Sequence, residues 1–306
     1  MEALFIGQAY IDITFLTKAL PTGDEKTLAE DYAVSFGGNA VTAAFACAKL
    51  GLAPDLMCTV AEDWLAHMFR DMASKYRIHL HSRKVNESSL SFIMPQGGHR
   101  AIVRCRDNDF LHPYPELSLE GCRALHVDGH MPDAALHYAQ ACRKKGILTS
   151  MDGGAFREDT DEILEFIDVA IVSELFCEQI GKSYDATLDY LRSKRVKVGG
   201  VTLGEYGMLW FEGDGETRHL PALSIPPSKT IDTNGAGDTF HGAYIYSYLT
   251  NPTEQWETHF RFARTASAYS IQYLGNEASL PTLRDVEDTE ASFTISLLEP
   301  KRDGSP

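Results

Sequence analysis

Asp232-Thr233-Asn234-Gly235-Ala236-Gly237-Asp238-Thr239-Phe240-His241-Gly242 decides how this chain is read. Two glycines flank Ala236, an acid follows at once, and a helix-like run begins behind it. Small residues leave the amide groups of a turn open to a ligand, and a helix N-terminus adds the positive end of its dipole. The spot therefore suits a phosphoryl group. Asp238 stands at its mouth, where a carboxylate can take a proton from an attacking hydroxyl. A base beside an anion hole makes chemical sense when something between them changes charge, as in phosphoryl transfer. The plain alternative is a glycine-rich turn with Asp238 as a helix cap.

A second stretch weighs against that alternative. Phe36-Gly37-Gly38-Asn39-Ala40-Val41-Thr42-Ala43-Ala44 leads to Lys49-Leu50-Gly51. Gly37 and Gly38 let the backbone approach a ligand, and Asn39 offers both a donor and an acceptor. The helix behind is small and apolar on nearly every face, which predicts burial against a sheet.

Around these two stretches the chain alternates short apolar runs with helical segments. Leu4–Ile6, Leu56–Val60, Ala124–Val127, Leu148–Met151 and Val169–Val172 read as buried parallel strands. Asp133–Lys145 and Asp185–Lys194 have helical spacing. The pattern predicts an α/β fold with a doubly wound, mostly parallel sheet, whose ligands bind beyond the carboxyl ends of the strands. Residues 11–36 and 90–108 break the alternation. In the second of these, Ser91–Met94 and Ala101–Val103 flank Gly97-Gly98 as a hairpin. Together the two segments predict a discontinuous β lid on a single domain spanning 1–298. A lid excludes water, the competing phosphoryl acceptor. The polar residues 299–306 are expected to be a disordered tail.

Composition bounds the function. A chain of 306 residues with 44% hydrophobic content can bury a large core. The net charge of −15 excludes a nucleic-acid backbone as partner, since no basic surplus exists to displace counterions. No apolar run approaches the roughly 18 residues of a membrane helix, and Met1-Glu2-Ala3 is no signal peptide. A cytoplasmic location is expected, with no membrane partner. The six scattered cysteines contain no C-x-x-C pair and read as buried free thiols. Neither a P-loop nor a protein-kinase catalytic loop is present.

Three further constellations carry two readings each. His126-Val127-Asp128-Gly129-His130 matches no closed zinc set, so it reads as a strand end with His130 and Asp128 near the substrate. Arg104 and Arg106 share a face of the second lid strand: either a solvated face or a guanidinium pair suited to an anionic sugar. Asp152-Gly153-Gly154 either lines the cleft or caps the next helix. His79 and His81 read as surface residues.

The glycine pair with Asn39 and the stretch from Asp232 to Gly242 lie roughly two hundred residues apart. In that order they resemble the two signatures of the PfkB/ribokinase family of carbohydrate kinases. The resemblance covers the chain from about Ala3 to Pro281. It implies a ribokinase-like fold and transfer of phosphate from ATP, with Mg2+ as counter-ion, to a hydroxyl of a small sugar or sugar acid. It also implies Asp238 as base, with Gly235, Ala236 and Gly237 as anion hole. Asp12, Gly37, Gly38 and Asn39 would then hold the sugar, joined by Arg104 and His130. Thr202, Gly204 and Gly207 in Val201–Gly207, and Asn276 in Leu274–Pro281, would contact the nucleotide. A K+-like ion near Asp232 and Ser279 is implied as well. A nucleoside kinase of the same family, or a silent sugar-binding protein of the same fold, are the alternatives. A homodimer through the lid is a further expectation.

One stretch departs from the family. Members often carry Asn-x-x-Glu at the end of a middle strand, where the Glu organises magnesium; here it is Ser173-Glu174-Leu175-Phe176. The resemblance then leaves magnesium to phosphate and water, with Glu174 as the nearby carboxylate and Phe176→Glu expected to tighten metal dependence.

Overall fold

The computed structural model describes residues 1–18, 22–96 and 99–300, with only the backbone of Gln96 and His99. The Gly97-Gly98 turn and residues 301–306 of the expected tail lie outside the described residues.

Short apolar, β-branched runs form the strands β1 (Ala3–Gly7), β2 (Tyr10–Leu16), β3 (Asp31–Gly37), β4 (Asp55–Val60), β5 (His79–Lys84), β6 (Leu90–Gln96), β7 (His99–Cys105), β8 (Ala124–Val127), β9 (Leu148–Gly153), β10 (Val169–Ser173), β11 (Val198–Thr202), β12 (Met208–Glu212) and β13 (Arg218–Leu220). Nine of them make one sheet in the order β13-β12-β11-β10-β9-β8-β1-β4-β5. Its strands run in one direction except β12, which pairs antiparallel with both β11 and β13 at one edge. The helices are α1 (Asn39–Leu50), α2 (Trp64–Lys75), α3 (Pro132–Lys144), α4 (Thr160–Leu164), α5 (Glu174–Ile180), α6 (Tyr184–Ser193), α7 (Ala236–Thr250), α8 (Trp256–Ser270) and α9 (Leu283–Ser292).

The period-2 alternation of each strand sorts the core into two layers. Phe5, Leu56, Cys58, Ile171, Val198 and Trp210 face α1, α2, α7 and α8, with Phe45, Tyr244 and Phe260 among their partners. Leu4, Ile6, Met57, Val127, Val172 and Phe211 face α3 to α6, against Tyr138, Phe176 and Leu188. Each fully buried Leu, Ile or Phe contributes about 1.5–3 kcal/mol, so this double layer dominates stability. α1 is small and apolar because it is enclosed: from Ala40 to Cys47 every residue is buried. Among the described residues no helix is long and apolar enough to cross a membrane.

The strand order reverses at β1, which lies between β4 and β8. Ligand crevices in doubly wound sheets open beyond the carboxyl ends at such a point. There the chain leaves β1 for a second, four-stranded sheet, ordered β3-β2-β6-β7. This is the lid. Asp12 pairs with Ser35 on one side and with Ser91 on the other, and Ser91 pairs with Arg104. These polar residues therefore share one face. The opposite face is apolar, with Phe15 packed on Tyr32 and Phe92.

Five cysteines are buried free thiols, but Cys105, at the end of β7, is exposed. His79 is exposed, whereas His81 is three-quarters covered and lies 2.7 Å from Asp55 Oδ1.

Candidate active site

α7 begins where Gly235 turns left-handed, at φ 73°, a conformation that favours glycine. A side chain here would also strike Asn276 Oδ1, 2.4 Å from the position of a Cβ. The first-turn amides of the helix lack carbonyl partners within it. The amide of Ala236 is turned to the Thr233 carbonyl at 3.4 Å. Gly237 is exposed, and a Cβ there would meet nothing within 4 Å, so the backbone is open to a ligand. These features fit a phosphate cradle.

Asp238 lies in this first turn, partly buried at the start of the helix. Burial, followed by the charges of Asp152 and Asp12, pushes its pKa up to about 8. Arg100 and Arg104 act in the opposite sense. Both arginines come from β7, so that strand brings two cations toward Asp238. Arg100 also donates to Thr233 Oγ1 at 3.2 Å.

The second glycine stretch meets the first. Gly38 has φ 104°, and a Cβ would fall 1.9 Å from the Gln8 carbonyl oxygen, so glycine is required for the chain to pass there. Gly37 lies so close to Asp12 that a Cβ would sit 2.3 Å from its carboxylate. Asn39 donates through Nδ2 to Asp152 Oδ2 at 3.0 Å. Of the two readings the sequence allowed, Asp152 takes the cleft one: α4 begins at Thr160 behind Asp159, and Asp152 Oδ1 accepts the Gly154 amide of its own turn, at 2.7 Å.

Asp12 is buried in the lid and its pKa is pushed up to about 6, chiefly by burial. Hydrogen bonds to Ser91, Asn234 and Asn276 and the Arg104 charge offset part of that. Asn276 was expected beside the nucleotide; the structure places it against Asp12, donating to Asp12 Oδ2 at 3.0 Å and to the Phe36 carbonyl at 2.8 Å. Arg104 stands 5.3 Å over the Tyr10 ring, on the Asp12 face of the lid, although its side chain is exposed.

His130 is drawn away from open solvent: its ring lies 3.2 Å from Asp128 Oδ1, and Arg157 approaches its Nε2 at 2.8 Å. Asp128 itself accepts the Ala40 amide at 3.3 Å, at the start of α1. Thr202, at the end of β11, donates to the Val172 carbonyl at 3.3 Å. Gly204 opens the adjoining 3-10 turn with free space around it, and Gly207 closes it at φ 86°.

The Ser173–Phe176 stretch corrects the expectation for Phe176. Ser173 ends β10 and caps α5 by accepting the Phe176 amide at 3.3 Å. Glu174 accepts a hydrogen bond from Tyr184 at 2.7 Å. Phe176 is fully buried against Phe156, so no side chain at 176 can face a metal without abandoning the core. These residues do not fit a protein-held magnesium shell. Asp232 accepts the amides of Asn234 and Gly275 at 2.9 and 3.2 Å, and Ser279 donates to the Asn276 carbonyl at 2.9 Å. Asp232 thus ties its own turn to the late loop at Gly275, whereas Ser279 bonds within that late loop.

Sequence reasoning missed Arg100, Asn234 and Ser91. Arg100 could have been found from the alternation Arg100, Ile102, Arg104 on one strand; Asn234 and Ser91 carried no local signal.

Open backbone at a helix start, a carboxyl group beside it and a sheet carrying polar groups are the parts that a small-molecule phosphotransferase site requires. The sequence pattern of the pfkB family carbohydrate kinases matches residues 2–283. This chain belongs to that family of carbohydrate kinases, phosphotransferases with an alcohol group as acceptor. It is 24% identical to the ribokinase of Lactococcus lactis, over 95% of this chain and 98% of that one. Among solved structures, Arabidopsis thaliana ribokinase complexed with ribose and ATP superposes with a TM-score of 0.79 at 22% identity, covering 94% of this chain and 98% of that one. A Methanocaldococcus jannaschii nucleoside kinase superposes at 0.75 and 19% identity, covering 94% and 98% respectively. Their breadth of acceptors leaves the substrate to the site itself.

Proposed function

We propose that this protein transfers the γ-phosphoryl group of ATP to a hydroxyl of a small sugar or sugar acid, with Asp238 as general base. The observation that carries this reading is the position of Asp238, in the first turn of α7, next to the open backbone at Gly237 and facing Arg100 and Arg104.

Asp12, Gly38 and Asn39 hold acceptor hydroxyls on the lid side of the cleft. Thr202, Gly204 and Gly207 border the nucleotide side. Asp238 takes the proton of the attacking hydroxyl, and a base whose pKa lies near the working pH does this efficiently. The Gly235–Gly237 turn receives the charge that shifts onto the phosphoryl oxygens, and Arg100 adds a cation as the lid closes. Magnesium, when bound with the nucleotide, would supply charge neutralisation on the phosphates, and Glu174, tied to Tyr184, would not be among its ligands. Positioning and electrostatics carry most of the rate in such transfers.

The arginines favour an anionic acceptor over a neutral sugar or nucleoside. The apolar lid face, with Tyr32 66% and Val103 64% exposed, is where a second copy docks in this reading. A panel of sugars, sugar acids and nucleosides with ATP, read as ADP formation, tests the function. Binding without ADP release across the panel would instead describe a silent sugar-binding protein.

A further inference from the structure

The polar residues beneath the base form a second constellation, between the central sheet and α7. Asp238 and His241 are three positions apart and share a face of α7. His241 therefore sits directly under the base, and it meets residues from β8 and β9. Register pairs His126 with Ser150 on those strands. One nitrogen of His126, one of His241 and one carboxylate oxygen of Asp152 all lie within 4.8 Å of one another. All three residues are buried.

Each imidazole has its other nitrogen held. His126 Nδ1 is 2.9 Å from Ser150 Oγ, and His241 Nδ1 is 3.0 Å from the Tyr244 hydroxyl. Ser150 and Tyr244 are themselves joined at 2.5 Å. The two Nε2 atoms are left over. His126 Nε2 is buried with no hydrogen-bond partner among the described residues. His241 Nε2 lies 3.7 Å from Asp152 Oδ2, beyond hydrogen-bond reach. Metal-ligating histidines characteristically have one ring nitrogen on the ion and the other fixed by a neighbour.

We propose that His126, His241 and Asp152 form a site for one divalent transition-metal ion of the Zn2+ type, separate from any magnesium on the nucleotide. Two imidazoles and a carboxylate are a borderline-soft donor set that suits zinc and its neighbours rather than magnesium. Metal bonds of about 2.0–2.2 Å place neighbouring ligand atoms roughly 3–3.5 Å apart. The His241–Asp152 pair is close to that separation, and His126 reaches it by a small ring movement about its Ser150 contact. Burial holds the imidazoles of both histidines below their ordinary pKa, in the neutral form a metal needs. Asn39 donates to the same Asp152 Oδ2 and borders the cluster.

The test is metal binding by the full chain, stripped with chelator and free of nucleotide and sugar. Its outcome is independent of whether the kinase reading holds. Equilibrium dialysis against Zn2+ is expected to retain one ion per chain, and Co2+ in its place to show ligand-field absorption from nitrogen coordination. His126→Phe, which fills the same space beside Phe5, is expected to abolish both signals, as is His241→Phe. Ser150→Ala, which removes only the partner of His126 Nδ1, should weaken binding by roughly tenfold or more and remains informative if a histidine variant fails to fold. No stoichiometric binding by the parent chain overturns the proposal, and so does binding that survives all three substitutions.

Discussion

Asn276 donates to Asp12 Oδ2 at 3.0 Å and joins residues 264 positions apart in the chain. The same side chain donates to the Phe36 carbonyl, so one carboxamide pins β2, the end of β3 and the late loop together. Asn276→Ala leaves Asp12 and a buried carbonyl short of donors, at a cost of about 1–3 kcal/mol for each buried group left unsatisfied. The expected outcome is a lowered melting temperature together with a raised KM for the acceptor and an unchanged KM for ATP. A fall in stability with both KM values intact would limit Asn276 to folding.

Asp238→Asn keeps the shape of the side chain and removes the proton acceptor. Turnover is expected to fall by roughly a hundredfold or more, with acceptor binding by calorimetry retained. A variant that keeps a rate near that of the parent would falsify the assignment of the base.

The pH dependence follows from the same residue. With its pKa pushed up to about 8 in the free enzyme, Asp238 is protonated through the neutral range and becomes a base as pH rises. kcat/KM should therefore climb with pH through that value. Stability runs the other way. The folded state holds a proton that the unfolded chain releases from about the ordinary value of 3.8 upward, so this contribution is full below 3.8 and is lost as pH rises through about 8. Denaturant titrations of the ligand-free chain across that window should show the decline, and Asp238→Asn should flatten it.

Arg104 stands on the Asp12 face of the lid. Arg104→Ala is expected to weaken an anionic acceptor by about 1–2 kcal/mol, less than a fully buried charge-assisted bond because the side chain is exposed. ATP should be little affected. Equal, small changes in both KM values would place Arg104 on a merely solvated face.

Phe176→Glu is expected to destabilise the protein by roughly 3 kcal/mol or more, since it buries a carboxylate among aromatic rings. No gain in magnesium affinity should accompany it. Glu174→Gln should leave the magnesium requirement unchanged and cost about 1 kcal/mol through the weakened Tyr184 bond. Thermal melts and magnesium titrations of ADP formation check both. A large rise in the magnesium requirement of Glu174→Gln would show that the carboxylate leaves Tyr184 for the metal.

The two glycine-rich turns, the alternation of strand and helix and the lid segments were legible in the amino-acid order. Each depends on local properties: left-handed backbone at Gly38 and Gly235, period-2 burial along the strands, and a small-residue helix that only an enclosed position tolerates. Family membership was legible for the same reason, because its signatures are such turns. The tertiary structure alone decided what meets across distance. It set Asn276 on Asp12 and Arg100 at Thr233, put Phe176 in the core, and brought His126 under His241. It also decided the proton affinity of Asp238, which is a sum over burial and over charges from three separate parts of the chain. Such sums depend on distances in space, and local sequence patterns carry no measure of them.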